Sequence, residues 1–288
     1  MIRFGPAGNE TSFYDQGYKN TYQAMQWLED MGLNAYEYQC GRGVNIKEDS
    51  ANQIKEYAIK HNIALSLHAP YYINMATKEP QKVESSLMHM RKSYIAAKQM
   101  GATRICVHPG AVMKDTRENA AKRAYVFLKS FLDEMNDESV IICPEVMGKI
   151  NQLGNLEEII DLCSKEERIL PTVDFGHLNA RTHGSLKSSD DFERVVVQMI
   201  NGMGIERTRK MHIHFSQIEY TEGGEKKHLT FEDTTYGPYF KDFIPVLYKY
   251  DMQPVVICES DDKMATDALK SKIMYEKYKP QIFLKEQQ

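Results

Sequence analysis

Residues 104–110 read Arg-Ile-Cys-Val-His-Pro-Gly: a short apolar, β-branched run, then a histidine, then a Pro-Gly break. A run this short is strand-like, and Pro-Gly ends it. The same reading recurs on both sides. Runs at Ile2–Phe4, Ala35–Tyr38, Ala64–His68, Arg104–His108, Val140–Glu145, Leu170–Asp174, Met211–Phe215 and Pro254–Glu259 predict eight strands. Amphipathic stretches between them predict helices at Thr21–Met31, Ser50–His61, Lys82–Met100, Asp115–Asn136, Asn155–Ser164, Asp190–Met203, Tyr239–Tyr250 and Asp262–Tyr278. Strands alternating with helices imply β-α-β units and a parallel sheet. Eight repeats predict closure into one α/β domain, a (β/α)8 TIM barrel over residues 1–288. The main rival, a doubly wound open sheet, lacks its Gly-x-Gly-x-x-Gly after the first strand. Gly32 and Gly101 stand as helix C-terminal caps, Ser50 and Asp190 as N-caps, and Pro80 as a helix start.

The bulk composition agrees with one soluble enzyme-sized unit. The chain has 288 residues, 42% of them apolar, enough to bury a sizeable core. A net charge of −4 supplies no global basic field to advertise a nucleic-acid partner. The cysteines Cys40, Cys106, Cys143, Cys163 and Cys258 form no C-x-x-C pair. Three lie in strand-like runs, so buried, reduced thiols in a cytoplasmic protein are expected. No run approaches the ~20 apolar residues of a membrane span, and the N-terminus lacks a signal-peptide layout. No membrane association is expected.

The chemistry collects where strands end. Predicted strands three to eight close on His68, on His108, on Glu145, on Asp174 with His177 three residues later, on His212 and His214, and on Glu259. In a barrel the C-terminal strand ends face the catalytic mouth. A lone histidine at such a place is usually a hydrogen-bonded structural residue, and a lone aspartate more often caps the next helix. Six consecutive strands ending in ionisable groups are another matter, because burying them is costly unless they are paired or bound to metal. Imidazole and carboxylate donors together suit Zn²⁺, Mn²⁺ or Fe²⁺. The loop Ser216–Asp233 adds Glu225 and His228. His212 and His214 are two apart and share one face of their strand, so one can ligate while the other orients it. His61, His89 and His183 lack such context and read as surface or structural residues.

The motifs HAPYYINMA, VHPG, PEVMGK with LGNLEEIIDLC, VDFGHLNA, MHIHFS with its acidic–His loop, and ICES, in that order, resemble endonuclease IV, the apurinic/apyrimidinic endonucleases built as TIM barrels with three zinc ions. The resemblance implies that His68, His108 and Glu145 hold a first zinc. It gives Glu145, Asp174, His212 and Glu259 to a second, and His177, Glu225 and His228 to a third, with Mn²⁺ possible in part. His212 is favoured over His214 because Glu225 lies 13 residues beyond it, as the family's acid does. Two departures mark the third site: the family has Asp where Glu225 stands, and the following His falls one residue further along. By position Arg42, Tyr71 and Tyr72 match the residues that contact DNA.

The implied activity is metal-dependent hydrolysis of the phosphodiester 5′ to an abasic site in double-stranded DNA during base excision repair. Glu145, His108 and Glu259 would lie nearest the chemistry, in a monomer needing no protein partner. Clustered cations would lower the pKa of a water that attacks phosphorus in line. The alternative is a xylose-isomerase-like sugar isomerase or epimerase using one or two divalent metals, for which Glu37 at the tip of strand two gives support. Metal count discriminates the two.

Overall fold

The computed structural model describes residues 1–282. Among the described residues ten strands occur: β1 (Arg3–Pro6), β2 (Ala35–Gln39), β3 (Ala64–His68), β4 (Arg104–Val107), β5 (Ile141–Pro144), β6 (Thr172–Asp174), β7 (His212–Phe215), β8 (Gln217–Thr221), β9 (Gly224–Leu229) and β10 (Val255–Cys258). Eight are parallel and form the wall of a TIM barrel. They fall into two arcs, β2-β3-β4-β5 and β6-β7-β10-β1. The arcs join at two seams. Gly8 N–H donates to Glu37 O at 3.0 Å, and Val146 N–H donates to Thr172 O at 2.9 Å. Gly5 sits at the first seam, where an added Cβ would lie 1.8 Å from Ala35 O, so a side chain there would force β1 and β2 apart.

Helices cover the outside, among them Glu48–Lys60, Pro80–Met100, Arg117–Met135, Leu156–Lys165, Ser189–Met203, Phe240–Lys249 and Met264–Ile282. Their apolar faces meet the outward side chains of the strands, as in the cluster Phe175, Phe192, Phe215 and Phe243, all sealed from solvent. Each such ring stabilises the fold by roughly 1.5–3 kcal/mol through burial. Asn155 and Glu158 form a reciprocal capping box on Leu156–Lys165. Pro80 opens its helix and Gly101, at φ 73°, closes it, as expected. The expected N-caps Ser50 and Asp190 lie inside their helices instead, which begin at Glu48 and Ser189.

The remaining elements have no counterpart in the predicted series: short helices at Thr11–Asp15, Phe175–Arg181 and Ile205–Arg209, and an antiparallel hairpin, β8–β9, just after β7. No helix among the described residues is long and apolar enough to cross a membrane.

Candidate metal centre

Glu145 follows β5 directly and projects into the barrel mouth, fully buried. Its Oε2 lies 3.3 Å from His68 Nε2 at the tip of β3 and 3.2 Å from His108 Nε2 just beyond β4. Its Oε1 lies 3.2 Å from His214 Nδ1 on β7 and 3.2 Å from His177 Nδ1. One carboxylate thus touches imidazoles from four places in the chain. Donor atoms of Glu145, Asp174, His214 and Glu259 all fall within 4.8 Å of one another. A third group, His177, Glu225 and His228, meets the same criterion beside them. Its Glu225 and His228 come from β9, which the hairpin folds back over the mouth.

The geometry brings together eight of the nine predicted ligands: His68, His108, Glu145, Asp174, His177, Glu225, His228 and Glu259. His212 sits one layer deeper, where its Nε2 lies 2.9 Å from Glu37 Oε2, in a separate group with Glu37 and His214 whose donor atoms also fall within 4.8 Å of one another. The β7 histidine grouped with Glu145, Asp174 and Glu259 is His214. Residues i and i+2 of a strand share a face but stand about 6.6 Å apart along it, so only the one nearer the C-terminal tip reaches the level of Asp174, its partner in register. The 13-residue spacing to Glu225 carries no information on depth, because the connection into β8–β9 has its own length. Glu37 is the component that strand-end reading undervalued. Buried at 0% exposure, it also accepts from Ser66 Oγ at 2.9 Å and Gln39 Nε2 at 3.1 Å, and its Oε1 lies 3.0 Å from His214 Nε2.

Three observations test whether cations fit here. First, carbonyls fix two tautomers. His68 Nδ1 donates to Ala69 O at 2.9 Å, and His177 Nδ1 donates to Val146 O at 3.1 Å. Each Nε2 then points at a carboxylate oxygen, that of His68 at Glu145 Oε2 at 3.3 Å and that of His177 at Glu225 Oε2 at 3.4 Å. A neutral ring would present a lone pair to that oxygen, so each contact needs either a proton or a metal cation between the two groups. Second, Asp174 Oδ1 accepts from His177 N–H at 2.7 Å, whereas the buried Oδ2 accepts no hydrogen bond. Third, burial, and then the Glu145 and Asp174 carboxylates, hold Glu259 above the usual carboxylate range even though His214 and His228 pull it down. Without cations the imidazoles must carry the positive charge. Burial opposes ionisation of His214, yet Glu259, Glu37 and Glu145 raise it well above an ordinary histidine. The residues fit divalent metal.

Beside this centre, Tyr71 and Tyr72 are 58% and 44% exposed, their rings meeting edge to face at 5.6 Å. Tyr71 N–H donates to Gly41 O, so the exposed Arg42 stands on the adjoining loop. His89 packs against Tyr72, and His61 pairs with Glu29 Oε2 at 2.7 Å, away from the centre.

A TIM barrel with imidazole and carboxylate donors gathered at its strand tips defines a class of metal-centred barrels. Within that class, the chain belongs to the xylose isomerase-like TIM barrel family, which matches residues 25–276. "Uncharacterized protein MJ0133" of Methanocaldococcus jannaschii is 34% identical over 262 residues, covering 90% of this chain and 92% of that protein. A "Probable endonuclease 4" of Staphylococcus carnosus is 31% identical over 173 residues, 58% of this chain and 55% of the relative. The chain therefore matches little more than half the length of that relative. Among solved structures, endonuclease IV from Thermus thermophilus superposes with a TM-score of 0.73 at 14% identity, covering 97% and 99% of the two chains. A D-tagatose 3-epimerase-like protein superposes with a TM-score of 0.70 at 16% identity, covering 93% and 96%. Endonuclease-like and epimerase-like proteins thus share this barrel.

Proposed function

We propose that the chain is a divalent-metal-dependent phosphodiesterase that cleaves DNA 5′ to abasic sites, using zinc. His68, His108 and Glu145 would hold one ion, and Glu145, Asp174, His214 and Glu259 a second. His177, Glu225 and His228 would hold a third. The single observation that carries the reading is this last group. A hairpin beyond β7 supplies an additional acid–imidazole pair beside Glu145, which chemistry on one cation does not require. Bound cations supply Lewis acidity toward a phosphate and a water of lowered pKa. The chain's own residues do the rest. Glu145 links two ligand groups and fixes their separation. Asp174 and Glu259 place negative charge that bound cations would offset, and His108 is the most exposed of the imidazoles around Glu145. Arg42 offers a cation to a phosphate, and Tyr71 and Tyr72 present flat apolar surface to the gap a missing base leaves.

The test is to incubate zinc-loaded protein with a duplex carrying one abasic analogue. A single nick immediately 5′ to the analogue is expected. A second reading, sugar epimerisation, draws on a specific feature: Glu145, Asp174, His214 and Glu259 alone make a four-donor set for one cation. An intact duplex, together with Mn²⁺-dependent exchange of a ketose's carbon-bound hydrogen with solvent, would replace the nuclease reading with this one.

A further inference from the structure

We propose that Cys106 is a thiolate ligand of the ion that His68 and Glu145 would hold, on the floor of the metal centre beside His214; the inference rests on the metal-centre reading above. Cys106 precedes His108 by two residues, so it shares the interior face of β4 one level lower. It is fully buried and lies in register with His68 across β3 and β4. Its Sγ is 3.4 Å from Glu145 Oε2, the oxygen that also lies 3.3 Å from His68 Nε2. Donor atoms of His68, Cys106, Glu145 and His214 fall within 4.8 Å of one another. Zinc bonds of about 2.3 Å to sulfur and about 2.0 Å to nitrogen or oxygen, at tetrahedral angles, set donors roughly 3.3–3.6 Å apart. The two separations centred on Glu145 Oε2 match such edges.

One other role is open to the thiol. The S–H can donate to Glu145 Oε2 while a protonated His68 donates to the same oxygen; a bound ion would take the place of both protons at the same donors. Among the described residues, Cys106 is also the one cysteine grouped with both histidine and carboxylate donors; Cys40, Cys143, Cys163 and Cys258 are not. Binding breaks the S–H bond and forms a sulfur–metal bond. The proton passes to solvent and nothing is oxidised. A thiolate shifts the preference of the centre toward Zn²⁺ or Co²⁺ and away from Mg²⁺ or Mn²⁺. That separates it from an all-oxygen-and-nitrogen site of the same barrel.

Cobalt decides the matter. Metal-free whole protein is titrated with Co²⁺ while the visible and near-ultraviolet absorption is recorded. Visible d–d bands should appear together with an intense near-ultraviolet thiolate-to-cobalt band. Cys106→Ser should lose the near-ultraviolet band and keep visible bands, and Cys143→Ser should keep both. Visible bands without the charge-transfer band in the unsubstituted protein, or a band that survives Cys106→Ser, would overturn the inference and leave the metal centre standing. No cobalt absorption at all would overturn both. Should Cys106→Ser fail to fold, X-ray absorption of the zinc-loaded native protein decides: a sulfur neighbour at about 2.3 Å is expected, and nitrogen and oxygen neighbours alone would refute it.

Discussion

Asp174 divides its two oxygens between two tasks. Oδ1 caps the helix Phe175–Arg181 through His177 N–H, and Oδ2 lies 3.2 Å from His177 Nδ1, in a residue grouped with Glu145, His214 and Glu259. The sequence offered capping and ligation as competing readings; one side chain has an oxygen for each, because three residues of helix bring His177 back beside it. Glu145 carries the heaviest duty, since four imidazoles converge on it. Glu145→Gln keeps the shape and removes the charge. Cleavage should fall on the order of 10²-fold or more while the circular dichroism spectrum is unchanged; undiminished cleavage would remove Glu145 from the chemistry. Which β7 histidine faces the mouth was not legible, because periodicity two puts His212 and His214 on one face and says nothing of depth. Depth has a measurable consequence. Burial pushes the His212 imidazole down to about 4, although Glu37 pulls the other way. In the unfolded chain it titrates near about 6.5. As pH falls below that value the unfolded chain takes up the proton first. Stability is therefore full above about pH 6.5 and is lost down to about pH 4, by a total on the order of 3 kcal/mol. His212→Gln retains an amide donor and cannot titrate, so its urea midpoint should decline less steeply across that window. A slope equal to that of the native protein would contradict the assignment.

At the level of elements, the eight barrel strands were legible because each is a short apolar run with a turn signal behind it. The hairpin β8–β9 was not, since Gly224–Leu229 is charged, mostly exposed at its centre and without clean alternation. Only the Gly223–Gly224 pair hinted at a turn. Structure makes that turn specific. Gly224 has φ 89°, and a Cβ there would lie 2.2 Å from Gly148 O. Glu225 N–H donates to the same carbonyl at 3.2 Å, which docks the hairpin on the loop after β5. Gly224→Val should therefore lift β9 and misplace Glu225 and His228, while the barrel and the group around Glu145 survive. Equilibrium dialysis with zinc should show one ion fewer per chain than the native protein, with little change in melting temperature. Full zinc content would mean that the hairpin carries no ligands.

For the whole molecule, alternation of strand and helix was enough to predict closure, since eight β-α repeats of this length close with both sheet edges paired. The convergence of donors followed from topology, because every parallel strand ends at the same mouth. What lay beyond reach was the content of the barrel's lower layer, where Glu37, Ser66, Gln39 and His212 satisfy one another, because such partners are distant in sequence and each looks ordinary alone. The same topology concentrates five carboxylates, Glu37, Glu145, Asp174, Glu225 and Glu259, among six histidines in a chain of net charge −4. That concentration is tolerable chiefly if cations are held there. The direct test is metal content by mass spectrometry after the native protein is loaded with zinc and dialysed free of excess ion. Close to three zinc ions per chain are expected, falling in Glu145→Gln; a folded native protein that retains none would contradict the metal centre.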